Sequence, residues 1–172
     1  MESTSMKPSS LLAAEYLREL ESEARATREC LANVRADLFA WKPHEKSMEL
    51  GYMALLVAAI PRWISTMIET SEIDLATFDQ PKGTTAEDLV ASFERNMDGA
   101  RAALKGVTDE ELKRPFQLKN QGQVLFTSPT DETISSSINH MVHHRGQLTV
   151  YLRLNDIPVP SIYGPSADAG GF

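Results

Sequence analysis

Apolar residues recur at intervals of three and four through four separate stretches of this chain. That period commits most of it to packed amphipathic helices. The first stretch carries Leu17, Leu20, Ala24, Thr27, Leu31, Val34 and Leu38, with charged residues on the other face. It predicts one long helix over residues 9–40. Trp41-Lys42-Pro43-His44 should end it, because the residue before a proline is pushed out of the helical region. Leu50, Met53, Val57, Ile60, Ile64 and Met67 form the second stretch, with Ser47 as its expected N-cap. Pro61 lies well inside that stretch, removes the amide that would bond the Val57 carbonyl, and predicts a kink.

Residues 71–83 read as a loop ending in Asp79-Gln80-Pro81-Lys82-Gly83. Thr84-Thr85-Ala86-Glu87-Asp88 is a capping-box signature for a third helix with Leu89, Phe93, Met97, Ala100 and Leu104 inward and Gly106 at its end. A further helical turn is expected around Asp109–Leu112. Phe116-Gln117-Leu118 and Val124-Leu125-Phe126 alternate about Lys119-Asn120-Gln121-Gly122, which predicts a small hairpin. Ser128-Pro129-Thr130-Asp131 opens a fourth helix reaching about Asn155, followed by an irregular tail rich in Pro, Gly and Ser. The fold class is therefore all-α: a four-helix bundle with a β-hairpin between helices three and four. One domain over residues 1–172 is expected, with 1–8 and 166–172 as irregular ends.

The net charge of −7 and pI near 5.1 argue against a general nucleic-acid or anionic-membrane binder, which needs a basic face. The longest uninterrupted apolar run, Met53 to Ile60, is far short of the roughly 20 residues that span a bilayer. No apolar region follows a basic one at the N-terminus, so no signal peptide is expected. A single cysteine, Cys30, leaves no internal disulfide and no Cys-rich zinc site, and it reads as an inert packing thiol. The cytoplasm is the expected compartment.

Chemistry concentrates in helix four, where three of the four histidines fall within Asn139–Gln147. Two seams run along this helix. Ile134, Ile138, Met141, Leu148 and Leu152 are apolar; Thr133, Ser137, His140, His144, Gln147 and Tyr151 form a polar line at the same spacing. His140 and His144 are one turn apart on one face, so both imidazoles can reach one ion, although such pairs also arise as hydrogen-bonded residues at a wet edge. A catalytic zinc needs a third protein ligand. His143 points to solvent or an interface. Arg145 falls on the apolar seam, its stem packing while its guanidinium seeks a carboxylate. Gly146 in mid-helix suggests close approach of another helix. His44 reads as a hydrogen-bonding loop residue, and Trp41 and Trp63 as core or rim anchors. No Gly-rich phosphate loop, Gly-x-Ser-x-Gly or paired-cysteine motif is present.

Three segments together resemble the DinB-like family of four-helix bundle proteins, the group assigned as metal-dependent hydrolases and thiol-dependent transferases. They are Trp41–Gly51 running on to Ile60-Pro61-Arg62-Trp63, then His140-Met141-Val142-His143-His144-Arg145-Gly146-Gln147-Leu148, then Pro158–Asp168 with its Tyr-Gly-Pro-Ser-Ala-Asp run. The resemblance implies an up-down-down-up bundle, often a homodimer, with a divalent metal such as nickel or zinc in the helical cleft and a small-molecule substrate. It implies His140 and His144 as two ligands of a three-histidine set. The third ligand would come from helix two, in a run that here reads Leu50-Gly51-Tyr52-Met53-Ala54-Leu55-Leu56-Val57-Ala58, with Leu56 at the ligand position. Leucine cannot donate to a metal. The resemblance therefore implies either a metal-dependent hydrolase or thiol transferase with a partial two-histidine site, or a non-catalytic relative that binds a small ligand or serves as a dimeric stress-associated protein.

Overall fold

The computed structural model describes residues 10–170, so the expected 1–8 tail and the last two residues of the expected 166–172 tail lie outside the described residues. The chain is mostly helical, with a small sheet. In order it contains α1 (Leu11–Ala32), a 3-10 turn (Ala36–Leu38), α2 (Leu50–Thr70), β1 (Glu72–Asp74), α3 (Ala86–Gly106), α4 (Asp109–Leu112), β2 (Pro115–Asn120), β3 (Gln123–Pro129) and α5 (Thr130–Leu154).

The first helix is shorter than its apolar period suggests. It stops at Ala32, where the Asn33 amide caps the Cys30 and Leu31 carbonyls and the Asn33 side chain donates to the Pro158 carbonyl at 2.9 Å. Arg35 is extended, and the chain folds back as a 3-10 turn. Val34 is buried and Leu38 partly buried, although neither is on α1. The apolar spacing runs on past the helix because the returning segment faces the same core.

Ser47 does not cap α2; Glu49 occupies the N-cap without a side-chain bond. The first amides of α2 are satisfied instead by main-chain carbonyls of the folded-back segment: Leu50 N–H donates to Trp41 O at 2.8 Å and Gly51 N–H to Phe39 O at 3.0 Å. Backbone partners already in place leave a serine cap nothing to satisfy. Gly51 is required by this approach, since a Cβ there would come within 2.6 Å of Phe39 Cγ. His44 fixes the intervening loop, its Nδ1 accepting from Lys46 N–H at 3.1 Å.

Pro61 is buried within α2, which runs unbroken to Thr70 and closes on Ser71 in the left-handed region at φ 58°. By length and composition α2 is apolar enough to cross a membrane, which the uninterrupted run Met53–Ile60 understated. Most of it is buried against α3 and α5, as befits the central helix of a core. Each fully buried Leu, Ile, Met or Phe in that core contributes about 1.5–3 kcal/mol.

The segment expected to be a loop after α2 contains β1. It pairs in parallel with β2, Glu72 opposite Gln117 and Asp74 opposite Lys119, and makes the expected hairpin a three-stranded sheet ordered β1-β2-β3. Three residues leave no readable alternation, and their pairing partner lies more than forty positions away. The hairpin turn is Gln121-Gly122, both at positive φ (51° and 78°), the primed-turn geometry that fits the twist of paired strands. Asp74 binds this turn to β1: its carboxylate accepts from the amides of Ala76 (2.9 Å), Gln121 (3.0 Å) and Gly122 (2.7 Å) and is held below the usual carboxylate range by them. Capping boxes start α3 (Thr85 with Asp88) and α4 (Thr108 with Glu111).

The long helices meet through specific contacts. Tyr16 of α1 donates to the Asp131 carbonyl of α5, and Glu23 meets Arg145. Tyr151 of α5 donates to the Met48 carbonyl before α2, and His140 meets Trp63 edge-on. Arg28 and Arg101 join α1 to α3 through Glu94 and Glu21. Asn96 of α3 donates to the Ala58 carbonyl of α2 at 2.8 Å.

Candidate functional site

The two histidines that share one face by their spacing do come together. His140 and His144 present their rings to each other with centroids 4.6 Å apart and Nε2 to Nε2 at 2.7 Å. His144 is buried at 7% exposure, and its Nδ1 lies 2.8 Å from Gln147 Oε1. With that amide oxygen accepting, His144 carries its proton on Nδ1, and its Nε2 lone pair accepts from His140 Nε2–H. His140 packs edge-on to Trp63 at 5.5 Å. Burial, then the neighbouring His144 and His143, pushes the His140 pKa below the ordinary value of 6.5, so its ring is neutral at pH 7. His143 is exposed, its ring 5.1 Å from that of His144.

The donor set can be tested against a metal ion. Two imidazole nitrogens on one tetrahedral ion stand roughly 3.3 Å apart, given bonds of about 2.0–2.1 Å. The observed 2.7 Å is a hydrogen-bond separation, with one of the two nitrogens protonated. Among the described residues no group of three or more His, Cys, Asp or Glu side chains gathers as a metal-binding cluster. Leu56, where the family resemblance would place a third ligand, is a partly buried hydrophobic packed on the core. It lies on the Trp63 side of α2, one heptad earlier, and between the Met48–Tyr151 and Trp63–His140 contacts along that helix. The residues present supply two imidazoles and a hydrocarbon, which does not fit a resident three-ligand ion.

On the other side of α5, Arg145 is 2% exposed and lies 2.5 Å from the Glu23 carboxylate of α1. Its guanidinium also donates to Thr27 Oγ1 (3.2 Å), the Glu23 carbonyl (3.3 Å) and Tyr163 Oη (2.9 Å). Tyr163, from the tail, in turn donates to the Glu23 carboxylate at 3.1 Å. The expectation that Arg145 seeks a carboxylate is met, but the sequence reading names neither Glu23 nor Tyr163 as its partner. Glu23 had a signal: three after Leu20 and four before Thr27, it is a carboxylate on an apolar stripe. Gly146 faces open space, with nothing within 4 Å of where a Cβ would stand, so no helix approaches it. Cys30 is buried, and burial pushes its thiol up to about 11.

The sequence profile of the DinB family matches residues 3–169. The chain belongs to the DinB family. This DinB-family chain is 31% identical over 160 residues to the uncharacterised protein YrdA of Bacillus subtilis, covering 89% of each. Its fold is similar to the crystal structures of two DinB-like proteins. One is YjoA of Bacillus subtilis, at TM-score 0.66 and 20% identity over 84% of this chain and 96% of that one. The other comes from Bacillus cereus, at TM-score 0.66 and 24% identity over 87% and 97%. At those identities the likeness speaks for the DinB-like fold alone.

Proposed function

We propose that this DinB-family chain binds a small ligand at the His140–His144 pair without a resident metal, in the cleft of an up-down-down-up four-helix bundle. The bundle order is supported by contact directions. Tyr16–Asp131 and Glu23–Arg145 run the same way along α1 and α5, whereas Met48–Tyr151 and Trp63–His140 run oppositely along α2 and α5. Glu21–Arg101 and Arg28–Glu94 run oppositely along α1 and α3.

The observation that carries the functional reading is the hydrogen-bonded imidazole pair in a chain whose expected third ligand position, Leu56, is a hydrocarbon packed on the core. With both N–H groups engaged, the pair keeps one acceptor, His140 Nδ1, for a donor on a polar ligand, next to the Trp63 ring. A homodimer in the cytoplasm is part of the same proposal, motivated by the family layout and by the lone, buried Cys30.

A second reading, a metal-dependent hydrolase or thiol transferase with nickel or zinc on His140 and His144, is favoured by the convergence of the two Nε2 atoms. It needs a third ligand from a substrate or a second subunit. Metal analysis of protein purified without a histidine tag, compared with Leu56→His, separates the two. Small-ligand binding without metal expects far less than one equivalent of divalent metal in the wild type, and a gain of at least about tenfold in nickel or zinc affinity in Leu56→His. A full equivalent of tightly held metal in the wild type overturns it.

A further inference from the structure

A cavity of about 400 Å³ opens between α2, α3 and the segment after β1, lined by Arg62, Phe78, Asp79, Lys82, Arg95 and Asn96 among others. It lies on the α3 side of α2, whereas the histidines meet Trp63 on the α5 side. Its charged lining is three cations against one carboxylate, an excess of +2 in a chain whose net charge is −7.

That excess is only partly offset locally. Asp79 is divided between Arg62 and Lys82, each at 3.5 Å and each well exposed, which makes both contacts weak. Among the described residues Arg95 has no carboxylate partner, whereas each of the other nine arginines has one. Asp88 lies within electrostatic reach of Arg95, but its carboxylate accepts from the amides of Thr84 and Thr85 at 3.0 and 3.3 Å.

The site is also shaped. The Arg62 guanidinium lies over the Phe78 ring, 4.7 Å from its centroid, and donates to the Asp79 carbonyl at 3.4 Å. Stacking of this kind fixes the plane of the donor fork. Asn96 is tied to the Ala58 carbonyl and holds the wall. Ala59, Phe78 and Pro81 supply an apolar surface beside the cations. The volume lies within the roughly 300–1,000 Å³ typical of small-molecule sites.

We propose that this cavity binds a small organic phosphate monoester. Its dianion is held between Arg62 and Arg95 with Lys82 at the lip, and its organic part lies on Phe78. Two guanidinium forks match the oxygens of a phosphate better than a lone ammonium does.

Calorimetric titration of the full chain with phenyl phosphate tests this, with inorganic phosphate and phenol as comparison probes. Expected are saturable phenyl phosphate binding that weakens with added salt, weaker inorganic phosphate binding and none for phenol. Arg95→Gln should weaken phenyl phosphate binding by about tenfold or more. The Arg95 side chain is exposed and makes no hydrogen bond or ion pair among the described residues, so this variant isolates the charge. His140→Ala should leave the binding intact, which separates this cavity from the histidine pair. Absence of saturable phenyl phosphate binding, unchanged affinity in Arg95→Gln, or equally tight phenol binding would each overturn the proposal.

Discussion

Glu23 and Arg145 form an ion pair at 2.5 Å with both side chains nearly out of water, and Tyr163 closes over it by bonding to each. Such a pair resists removal of either partner, because the survivor is left charged and buried. Glu23→Ala is expected to cost about 3 kcal/mol and lower Tm by roughly 10 °C in thermal melts. Tyr163→Phe, which removes hydrogen bonds but no charge, should cost about 1–2 kcal/mol. A double-mutant cycle between Glu23→Ala and Tyr163→Phe should be clearly non-additive; strict additivity would mean that the tyrosine hydroxyl does not feel the ion pair.

Two helical glycines, Gly51 and Gly146, should respond in opposite ways. Gly51→Ala drives a methyl into the Phe39 ring and is expected to destabilise by about 1–3 kcal/mol. Gly146→Ala meets open space in mid-helix and should stabilise by up to about 1 kcal/mol. Chemical denaturation of both variants beside the wild type reads the two signs directly.

Asp74 gives the chain a defined acid response. Its pKa in the folded protein is depressed by the amides of Ala76, Gly122 and Gln121, so its contribution is present above the ordinary value of 3.8 and fades as pH falls through the lower folded value. Asp74→Asn should therefore melt earlier than the wild type at pH 6, and the difference should shrink on acidification below pH 4. A gap that stays constant across that range would mean the carboxylate charge is not what holds the turn.

Cys30, with its thiol raised to about 11, should be inert to thiol reagents at pH 8 in the folded protein and react promptly once denaturant is added. Rapid labelling of the native chain would show that the α1 core opens far more readily than its packing implies.

Helical elements and turn chemistry were legible in sequence because each is a local pattern. The Thr85–Asp88 capping box and the Gln121-Gly122 turn both form. So does the juxtaposition of His140 and His144, which four-residue spacing on a helix enforces. What escaped depended on residues far apart in the chain. Trp41 and Phe39 carbonyls displaced Ser47 as the cap of α2, β1 acquired meaning only beside β2, and Glu23 found Arg145 and Tyr163 across more than a hundred positions. Leu56 was legible as a departure from the ligand set the resemblance implies, but the hydrogen bond that joins the two histidines depends on side-chain rotamers that spacing does not set.

His144 and Arg145 are consecutive residues of α5, one turned to His140 and Gln147 and the other locked into Glu23 and Thr27. A helix keyed to its neighbour at one position cannot roll about its own axis. The aim of both imidazoles is therefore set from behind, by a lock on the far side of the helix. Loosening that lock would let both histidines swing together away from Trp63 without altering either one.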